Sequence, residues 1–408
     1  MAHRNNWRWT ILLFAAVGFT ESLAFGHLGA FTPLFLRGLS VPENAIAYWT
    51  GVLSSVGWII GLPLLPFWAV WSERYGRKLV IVRSSVFAAL MYALVAYSCD
   101  VYTLAAARFL GGLVLGNTGV MMAVQADITP RERLGTAMAI VSAGSPVGMA
   151  VGPYIGGEIV RAWGMRTLFL LDALLTAAVV LALCIWLREE PRYASRPAST
   201  RAGLREVFRA IAHTPSVRLL FGVVFLLAFG VSVSMPYLPL LIEGLYKGTS
   251  RDLPRAIGAI ITLSGVFMAI ATPLWGRLGD RFGYLQATRL CAVVTAIALL
   301  GQAYSSDLVG LTVARCVQGA FTAGFASLPT VLLTLYSPPD RRSAILTLSL
   351  LPQQLSWFAG PLAGTAMVGW GLAVPFVVGA IVLFVGVAVS LALPRPGAHL
   401  SSTDRAPV

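Results

Sequence analysis

Long apolar stretches dominate the chain and are separated by short breaks of glycine, proline and charged residues. Segments such as Leu168–Leu187 and Pro375–Leu393 are roughly 20 residues long and carry at most one charge. At about 1.5 Å of rise per residue, a helix of that length crosses a hydrocarbon core of roughly 30 Å. The apolar positions do not alternate with the period of two that strands require. The pattern therefore predicts an all-α integral membrane protein.

The breaks divide the chain into twelve predicted transmembrane helices. The basic N-terminus and the apolar run after it are interpreted as the first of these helices, and not as a removed signal peptide. The approximate bounds are 9–36, 47–71, 79–98, 101–127, 136–159, 166–187, 219–243, 255–276, 286–304, 308–335, 343–369 and 371–393.

Composition supports the membrane class. Hydrophobic residues make up 57% of the 408 residues, charged residues only 12%, and the mean hydropathy is +0.77. A soluble domain carries about 25% charged residues, so a large soluble protein is excluded.

The net charge of +13 is explained by Lys and Arg residues that lie mainly on one face of the membrane. With both termini on one face, that face carries 22 of the 30 Lys and Arg residues and the other carries 6. Arg108 and Arg315 lie inside the fourth and tenth predicted helices. The bias predicts that both termini are cytoplasmic, in the cytoplasmic (inner) membrane. No nucleic-acid partner is expected, because no aromatic-interleaved basic patch is present.

The sequence contains few residues or motifs that are typical of catalytic, metal or cofactor sites. The cysteines are far apart and predict free thiols with no metal site. The sequence contains four histidines and no glycine-rich loop ending in Gly-Lys-Ser/Thr. We therefore expect no enzymatic activity, no metal, no cofactor and no ATP-driven pumping within the chain. The cysteines are Cys99, Cys184, Cys291 and Cys316.

The two halves of the chain repeat each other. Pro66 and Trp68 recur 207 positions later as Pro273 and Trp275. Six helices per half make the copies parallel, related by an axis along the membrane normal. The predicted domains are a six-helix bundle at 1–187, a cytoplasmic linker at 188–218, a second bundle at 219–393 and a tail at 394–408. The other recurring pairs are Arg74 and Arg281, Gly76 and Gly283, Arg108 and Arg315, and Gly112 and Gly319.

Two pseudo-symmetric bundles are expected to form a ligand pocket at their seam. Rocking of one bundle against the other would open this pocket to either side of the membrane in turn. Bulky apolar and amide side chains in the seventh and eleventh helices suit amphipathic organic solutes, although ordinary helix packing is the commoner use of such residues. The candidate substrate residues are Met235, Tyr237, Gln353, Gln354, Trp357 and Phe358.

A charged turn follows the second helix and recurs after the eighth. Basic residues alone are enough to set the orientation in the membrane. The acidic residue that recurs in both copies therefore predicts an ion-pair latch that holds the cytoplasmic helix ends together in one state. Asp127, at the cytoplasmic end of the fourth helix, is a candidate partner for Arg77. The predicted latch comprises Glu73, Arg74, Gly76, Arg77, Asp127, Gly276, Asp280, Arg281 and Gly283.

Carboxylates inside the bilayer are costly and mark functional sites. Glu21 lies near the middle of the first helix and is the main candidate for proton coupling, with a structural hydrogen bond as the alternative. Asp172 could pair with Arg108, either statically or in coupling. His27 titrates in the useful range but could simply be hydrogen-bonded. Glu158 and Glu243 fall at helix ends and are expected to be solvated.

Three motifs carry a resemblance to a family. Glu73–Lys78 matches the second half of a loop motif, Gly-x-Leu-Ala-Asp-Arg-x-Gly-Arg-Lys, with Ala69 in place of the leading Gly. Arg108 with Gly112 matches an Arg-x-x-x-Gly motif in the fourth helix. Gly148–Gly157 matches Gly-x-x-x-Gly-Pro-x-x-Gly-Gly in the fifth. The chain resembles the major facilitator superfamily, in particular its twelve-helix drug:proton antiporters. The third motif consists of Gly148, Gly152, Pro153, Gly156 and Gly157, and its glycines four apart predict a flat face for close helix packing.

The resemblance implies a monomeric secondary transporter that exports amphipathic organic compounds in exchange for protons by alternating access. An exporter of a sugar, a siderophore or another metabolite is the alternative within the superfamily. A membrane-embedded enzyme or a channel would need catalytic constellations or a filter-like repeat that the chain does not display.

Overall fold

The computed structural model describes residues 6–188, 211–338 and 342–394, and within them it contains helices and no strands. The predicted all-α fold class is confirmed. Most of the predicted linker and the tail beyond residue 394 lie outside the described residues.

The first half contains seven α-helices, and the second half contains nine in the described residues. The first set is α1 (Trp7–Gly38), α2 (Glu43–Tyr75), α3 (Arg77–Ala96), α4 (Val101–Leu110), α5 (Asn117–Ile128), α6 (Leu134–Trp163) and α7 (Met165–Trp186). The second set is α8 (Pro215–Ser232), α9 (Leu238–Leu245), α10 (Leu253–Phe282), α11 (Tyr284–Ala303), α12 (Leu308–Thr322), α13 (Gly324–Tyr336), α14 (Arg342–Thr347), α15 (Leu351–Met367) and α16 (Val374–Ser390).

Ten helical segments of the described chain are long and apolar enough to cross a membrane. A further apolar helix, α16, is shorter at 17 residues. These segments correspond to eleven of the twelve predicted helices, and the chain is a multi-pass membrane protein.

The predicted helix at 343–369 is divided into α14 and α15. The division falls just before Pro352, which lacks an amide proton and disfavours helical geometry in the residue before it. A 3-10 turn at Met235–Tyr237 interrupts the predicted helix at 219–243, and Pro236 lies inside that turn.

The predicted helix at 101–127 is also broken. A 3-10 segment, Gly111–Val114, follows α4, and Gly116 then takes a φ of 97° before α5 begins. Glycine adopts that left-handed conformation without the strain a side chain would cause. In the second half, α12 and α13 meet at Ala323, which is 207 positions after Gly116. The break therefore recurs with the period of the sequence repeat.

Single glycines form the sharp turns after α2 and α10. Gly76 separates α2 from α3 with a φ of 106°, and Gly283 separates α10 from α11 with a φ of 91°. Both glycines take positive φ angles that would strain a residue with a side chain.

The chain divides into two compact units, Met1–Pro197 with Ile242–Leu263, and Ala198–Leu241 with Ser264–Val408. In the first unit, α1 packs along α6 and α3 packs along α7. In the second, α8 packs against α15 and α16. The domain bounds taken from the sequence remain a prediction.

Candidate functional site

A face of glycines brings α6 into backbone contact with α1. A Cβ at Gly152 would lie 2.8 Å from the Leu23 carbonyl oxygen, and one at Gly148 would collide with the Phe19 carbonyl oxygen. Gly156 packs against the His27 ring in the same way. The contacts advance four residues at a time on both helices, because residues four apart share a helix face. The close packing predicted for this motif is therefore present in the structure.

Glu21 projects from α1 toward α3 and α5. The Asn117 amide nitrogen, Nδ2, donates to both carboxylate oxygens at 2.9 and 3.0 Å. The Ser85 hydroxyl donates to Oε1 at 3.2 Å. These donors are neutral, and Arg83 acts on the carboxylate only through longer-range electrostatics. Glu21 is thus a half-buried carboxylate held by an amide and a hydroxyl.

The helix break before Asn117 is stabilised by residues of α3. Arg83 donates from Nη1 to the Leu113 carbonyl at 2.7 Å and from Nη2 to the Leu115 carbonyl at 3.0 Å. Its guanidinium carbon lies 3.3 Å from the centroid of the Trp68 ring. Carbonyls released by a helix break need such partners, because an unpaired buried carbonyl is costly. Arg83 therefore supports the backbone that places Asn117 beside Glu21.

Asp172 contacts His27 and not Arg108, which corrects the suggested pairing. Both carboxylate oxygens lie 3.0 Å from His27 Nδ1, and His27 Nε2 lies 2.9 Å from the Gly152 carbonyl oxygen. Both side chains are buried. Arg108 instead donates from Nη1 to the Thr32 hydroxyl at 3.1 Å.

The second unit places Arg315 where the first unit has Arg108, but surrounds it with amides. Arg315 Nη1 donates to Gln318 Oε1 at 2.6 Å, and Gln302 Nε2 donates to the same oxygen at 2.9 Å. Gln302 and Gln318 are both buried.

The charged turn contains the expected ion pair. Arg77 contacts Asp127 through Nη1, and Lys78 donates to the Cys184 carbonyl at 2.8 Å. The Glu73 side chain lies outside the described residues. Arg74 stacks on its neighbour Tyr75, with the guanidinium carbon 5.4 Å from the ring centroid.

The second copy of the turn is organised differently. Asp280 accepts a hydrogen bond from the Tyr284 hydroxyl, and Arg281 lies over the Phe282 ring at 5.4 Å. A Cβ at Gly276 would meet no atom within 4 Å. The acid of this copy therefore has a hydroxyl partner in place of a guanidinium.

Ion pairs gather at the opposite helix ends of the first unit. Glu158 lies 2.8 Å from Arg255, and Arg161 lies 2.7 Å from Asp252. The Thr249 hydroxyl and Arg161 hold the pKa of Asp252 below its ordinary range. Glu158 was expected to be solvated; 34% of its side chain is exposed, and it is in addition ion-paired to Arg255, about 100 positions away.

Arg37 makes a related bridge at this end. Its guanidinium contacts Glu43 at 2.9 Å and also contacts Glu243. Glu243 was likewise expected to be solvated; it keeps 22% of its side chain exposed and is also ion-paired. These contacts join the C-terminal end of α1 to α2 and α9 within the first unit.

The family model described as Major Facilitator Superfamily matches residues 14–254 and 220–407. The chain belongs to the Major Facilitator Superfamily. It is 26% identical over 408 residues to "Multidrug resistance protein MdtG" of Klebsiella pneumoniae (strain 342), covering 98% of this chain and 97% of that protein. It is 25% identical over 365 residues to "Multi-drug resistance efflux pump PmrA" of Streptococcus pneumoniae serotype 4, covering 89% and 90%.

Solved structures show the same superfamily fold. The nucleoside transporter NupG (D323A mutant) matches with a TM-score of 0.80 at 13% identity, covering 94% of this chain and 99% of that one. A bacterial homologue of the human lysosomal transporter Spinster, in an inward-facing, unoccupied conformation, matches with a TM-score of 0.76 at 15% identity, covering 95% and 97%.

The candidate substrate residues of this superfamily member lie in the second unit, mostly half-buried. Tyr237 is the exception, at 0% exposure, and its hydroxyl lies 3.4 Å from both the Pro361 carbonyl and the Thr365 hydroxyl. It therefore packs inside the unit in this conformation. The half-buried residues are Met235, Gln353, Gln354, Trp357 and Phe358.

Sequence reasoning missed Arg83 and Asn117. Arg83 was counted with the cytoplasmic loop cations, although it lies nearly two turns into α3 and binds backbone carbonyls. The Gly116-Asn117 pair was a usable signal, because this dipeptide is typical of a turn and interrupts an apolar run.

Proposed function

We propose that this chain is a proton-coupled exporter of amphipathic organic compounds that works by alternating access. The support is its membership of the superfamily and its full-length similarity to proteins named as multidrug efflux pumps. The protein works as a monomer in the cytoplasmic membrane with both termini cytoplasmic, in line with the distribution of its Lys and Arg residues.

The observation that carries the proton coupling is the environment of Glu21. A carboxylate inside a transmembrane helix is costly unless it has a task. A carboxylate locked to a cation would leave that cation unpaired on protonation. Glu21 instead has the neutral donors Asn117 and Ser85, and both can stay in place when it gains a proton. Proton binding at Glu21 therefore favours one facing state, and substrate competes for the other.

A drug-susceptibility panel on cells that express the wild type or Glu21→Gln tests this proposal. We expect the wild type to raise tolerance of cationic and neutral amphipathic compounds and Glu21→Gln to lose at least tenfold of that effect. Glu132→Gln is the matched control, because Glu132 is exposed in the short cytoplasmic turn before α6. Equal protection by Glu21→Gln would contradict the role of Glu21. Export of a sugar or another metabolite alone would contradict the substrate class.

The Arg77–Asp127 pair serves in this account as a cytoplasmic latch. Because it is an exposed pair, it contributes about 0–1 kcal/mol to stability. A purely structural role therefore predicts little change in export when the pair is broken. We expect Arg77→Asp and Asp127→Arg each to slow export several-fold and the double exchange to restore most of it. Both single variants are compared with Glu132→Gln in the same transport assay. A double exchange no better than the single changes would contradict the latch.

A further inference from the structure

His27 and Asp172 form a buried pair that joins three helices. His27 belongs to α1 and Asp172 to α7, and the Gly152 carbonyl belongs to α6. His27 is 1% exposed and Asp172 is 2% exposed. His27 lies six residues beyond Glu21, about 9 Å along α1. The two groups are therefore separate places on one helix.

The geometry fixes how many protons the pair holds. A carbonyl oxygen only accepts hydrogen bonds, so the 2.9 Å contact with Gly152 requires a proton on His27 Nε2. The 3.0 Å contact between Nδ1 and the carboxylate requires a second proton between them. That proton sits on the imidazole, giving an ion pair, or on the carboxyl group, giving a neutral pair. Both arrangements hold the same two protons.

Loss of the shared proton breaks one of these contacts. If Nε2 keeps its proton, the Nδ1 lone pair faces the ionised Asp172, and the two repel each other. If the remaining proton moves to Nδ1, the Nε2 lone pair faces the Gly152 carbonyl instead. In a buried site neither repulsion is relieved by water. Release therefore requires His27 to part from α7 or from α6.

The surrounding charges give the pair few other partners. Tyr92, on α3, is buried and is the titratable group that interacts electrostatically with Asp172, with Glu21 and with Arg108. Arg108, on α4, is hydrogen-bonded to Thr32. On α6, the contacts with His27 come from the carbonyl of Gly152 and from Gly156.

We propose that His27 and Asp172 form a second proton site, distinct from Glu21, whose single shared proton holds α1, α6 and α7 together. Loss of the proton breaks the contact of His27 with Asp172 or with the Gly152 carbonyl, and α1 can then move relative to α7 or α6. The proton count stands on geometry alone, whereas the part played in transport rests on the proposed function. Export then involves two protonation steps, one at each site.

Nitrogen NMR of the purified, 15N-histidine-labelled protein tests the proton count. The chain has four histidines, and His27→Gln assigns the signal. We expect the wild type to show a proton on Nε2 of His27, donated to the Gly152 carbonyl, and a hydrogen-bonded Nδ1, either as an N–H or as the acceptor of a proton on Asp172. In Asp172→Asn, the amide can donate to Nδ1 in place of the shared proton, so Nδ1 should show an acceptor signal and no N–H. A wild-type Nε2 without a proton, or a wild-type Nδ1 with the signal of a free lone pair, overturns the proposal.

The wild-type spectrum alone decides the proton count, so an Asp172→Asn variant that fails to fold still leaves the proposal falsifiable. Transport in proteoliposomes tests the coupling separately. We expect the pH dependence of export to lose one ionisation in Asp172→Asn and to keep both in Glu132→Gln. A wild type that exports no amphipathic compound contradicts the proposed function but not the proton site. An unchanged pH profile in Asp172→Asn, with export intact, overturns the coupling role.

Discussion

At the scale of single residues, polar side chains of the first unit have two tasks. Some donate hydrogen bonds to backbone carbonyls at a helix break, and others hold a carboxylate. Arg83 illustrates this, since one side chain satisfies two carbonyls at the helix break and stacks on Trp68. The planar guanidinium fork suits these three contacts, and a lysine ammonium cannot reproduce them. The position of Asn117, and through it of Glu21, depends on this support.

Arg83→Leu is expected to lower stability, because two carbonyls lose their donor. Each unpaired carbonyl costs about 1–3 kcal/mol, so the variant should unfold at a clearly lower temperature in detergent, and Arg83→Lys should recover only part of the loss. Arg131→Leu, at an exposed position, is the control. Equal unfolding temperatures for Arg83→Leu and the wild type would contradict the bracing role.

Asp252 gives a prediction for pH dependence. Its pKa is held down by Thr249 and Arg161, so its contribution to stability is present above the ordinary value of about 3.9 and is lost as pH falls through the lower folded value. Between about pH 5 and 8 Asp252 stays ionised. Asp252→Asn should therefore leave the shape of the export pH profile unchanged, whatever it does to the rate. Loss of an ionisation step in this range in Asp252→Asn would contradict this assignment.

At the scale of helices, spacing along the sequence predicted contacts well where the partners were glycines or helix ends. The glycines of α6 had to form a small-residue face, and the ends of α3 and α5 met as the Arg77–Asp127 pair. Hydropathy did not reveal the breaks, because a 3-10 turn inside an apolar run leaves the run apolar. Nor could it pair Glu158 with Arg255 or Asp172 with His27, since pairing across distant segments depends on how the helices pack.

Gly148→Ala is expected to disturb the contact between α1 and α6, because the new methyl group would collide with the Phe19 carbonyl, which belongs to a rigid helix backbone. Export should fall at least tenfold and the unfolding temperature should drop. Gly119→Ala, on α5, is the matched control, since its methyl group meets no atom within 4 Å. If both variants behave alike, close packing along this face does not matter for function.

At the scale of the whole molecule, duplication accounts for the architecture but not for the chemistry. The helix breaks recur 207 residues apart, yet Glu21 and Asn117 fall opposite Ala228 and Gly324 in the second repeat. Arg108 and Arg315 occupy equivalent positions with different neighbours. The two repeats have thus diverged in their buried polar groups, and on this account the first one carries the protons.

Everted membrane vesicles with a preformed, acidic-inside pH gradient provide the most direct test of proton-coupled export. Addition of an exported amphipathic compound should raise the internal pH of vesicles that carry the wild type and leave Glu21→Gln vesicles unchanged, because an antiporter returns protons as substrate enters the vesicle. Vesicles with Glu132→Gln should respond like the wild type. Substrate uptake without proton movement, or an equal response from Glu21→Gln, would contradict the account.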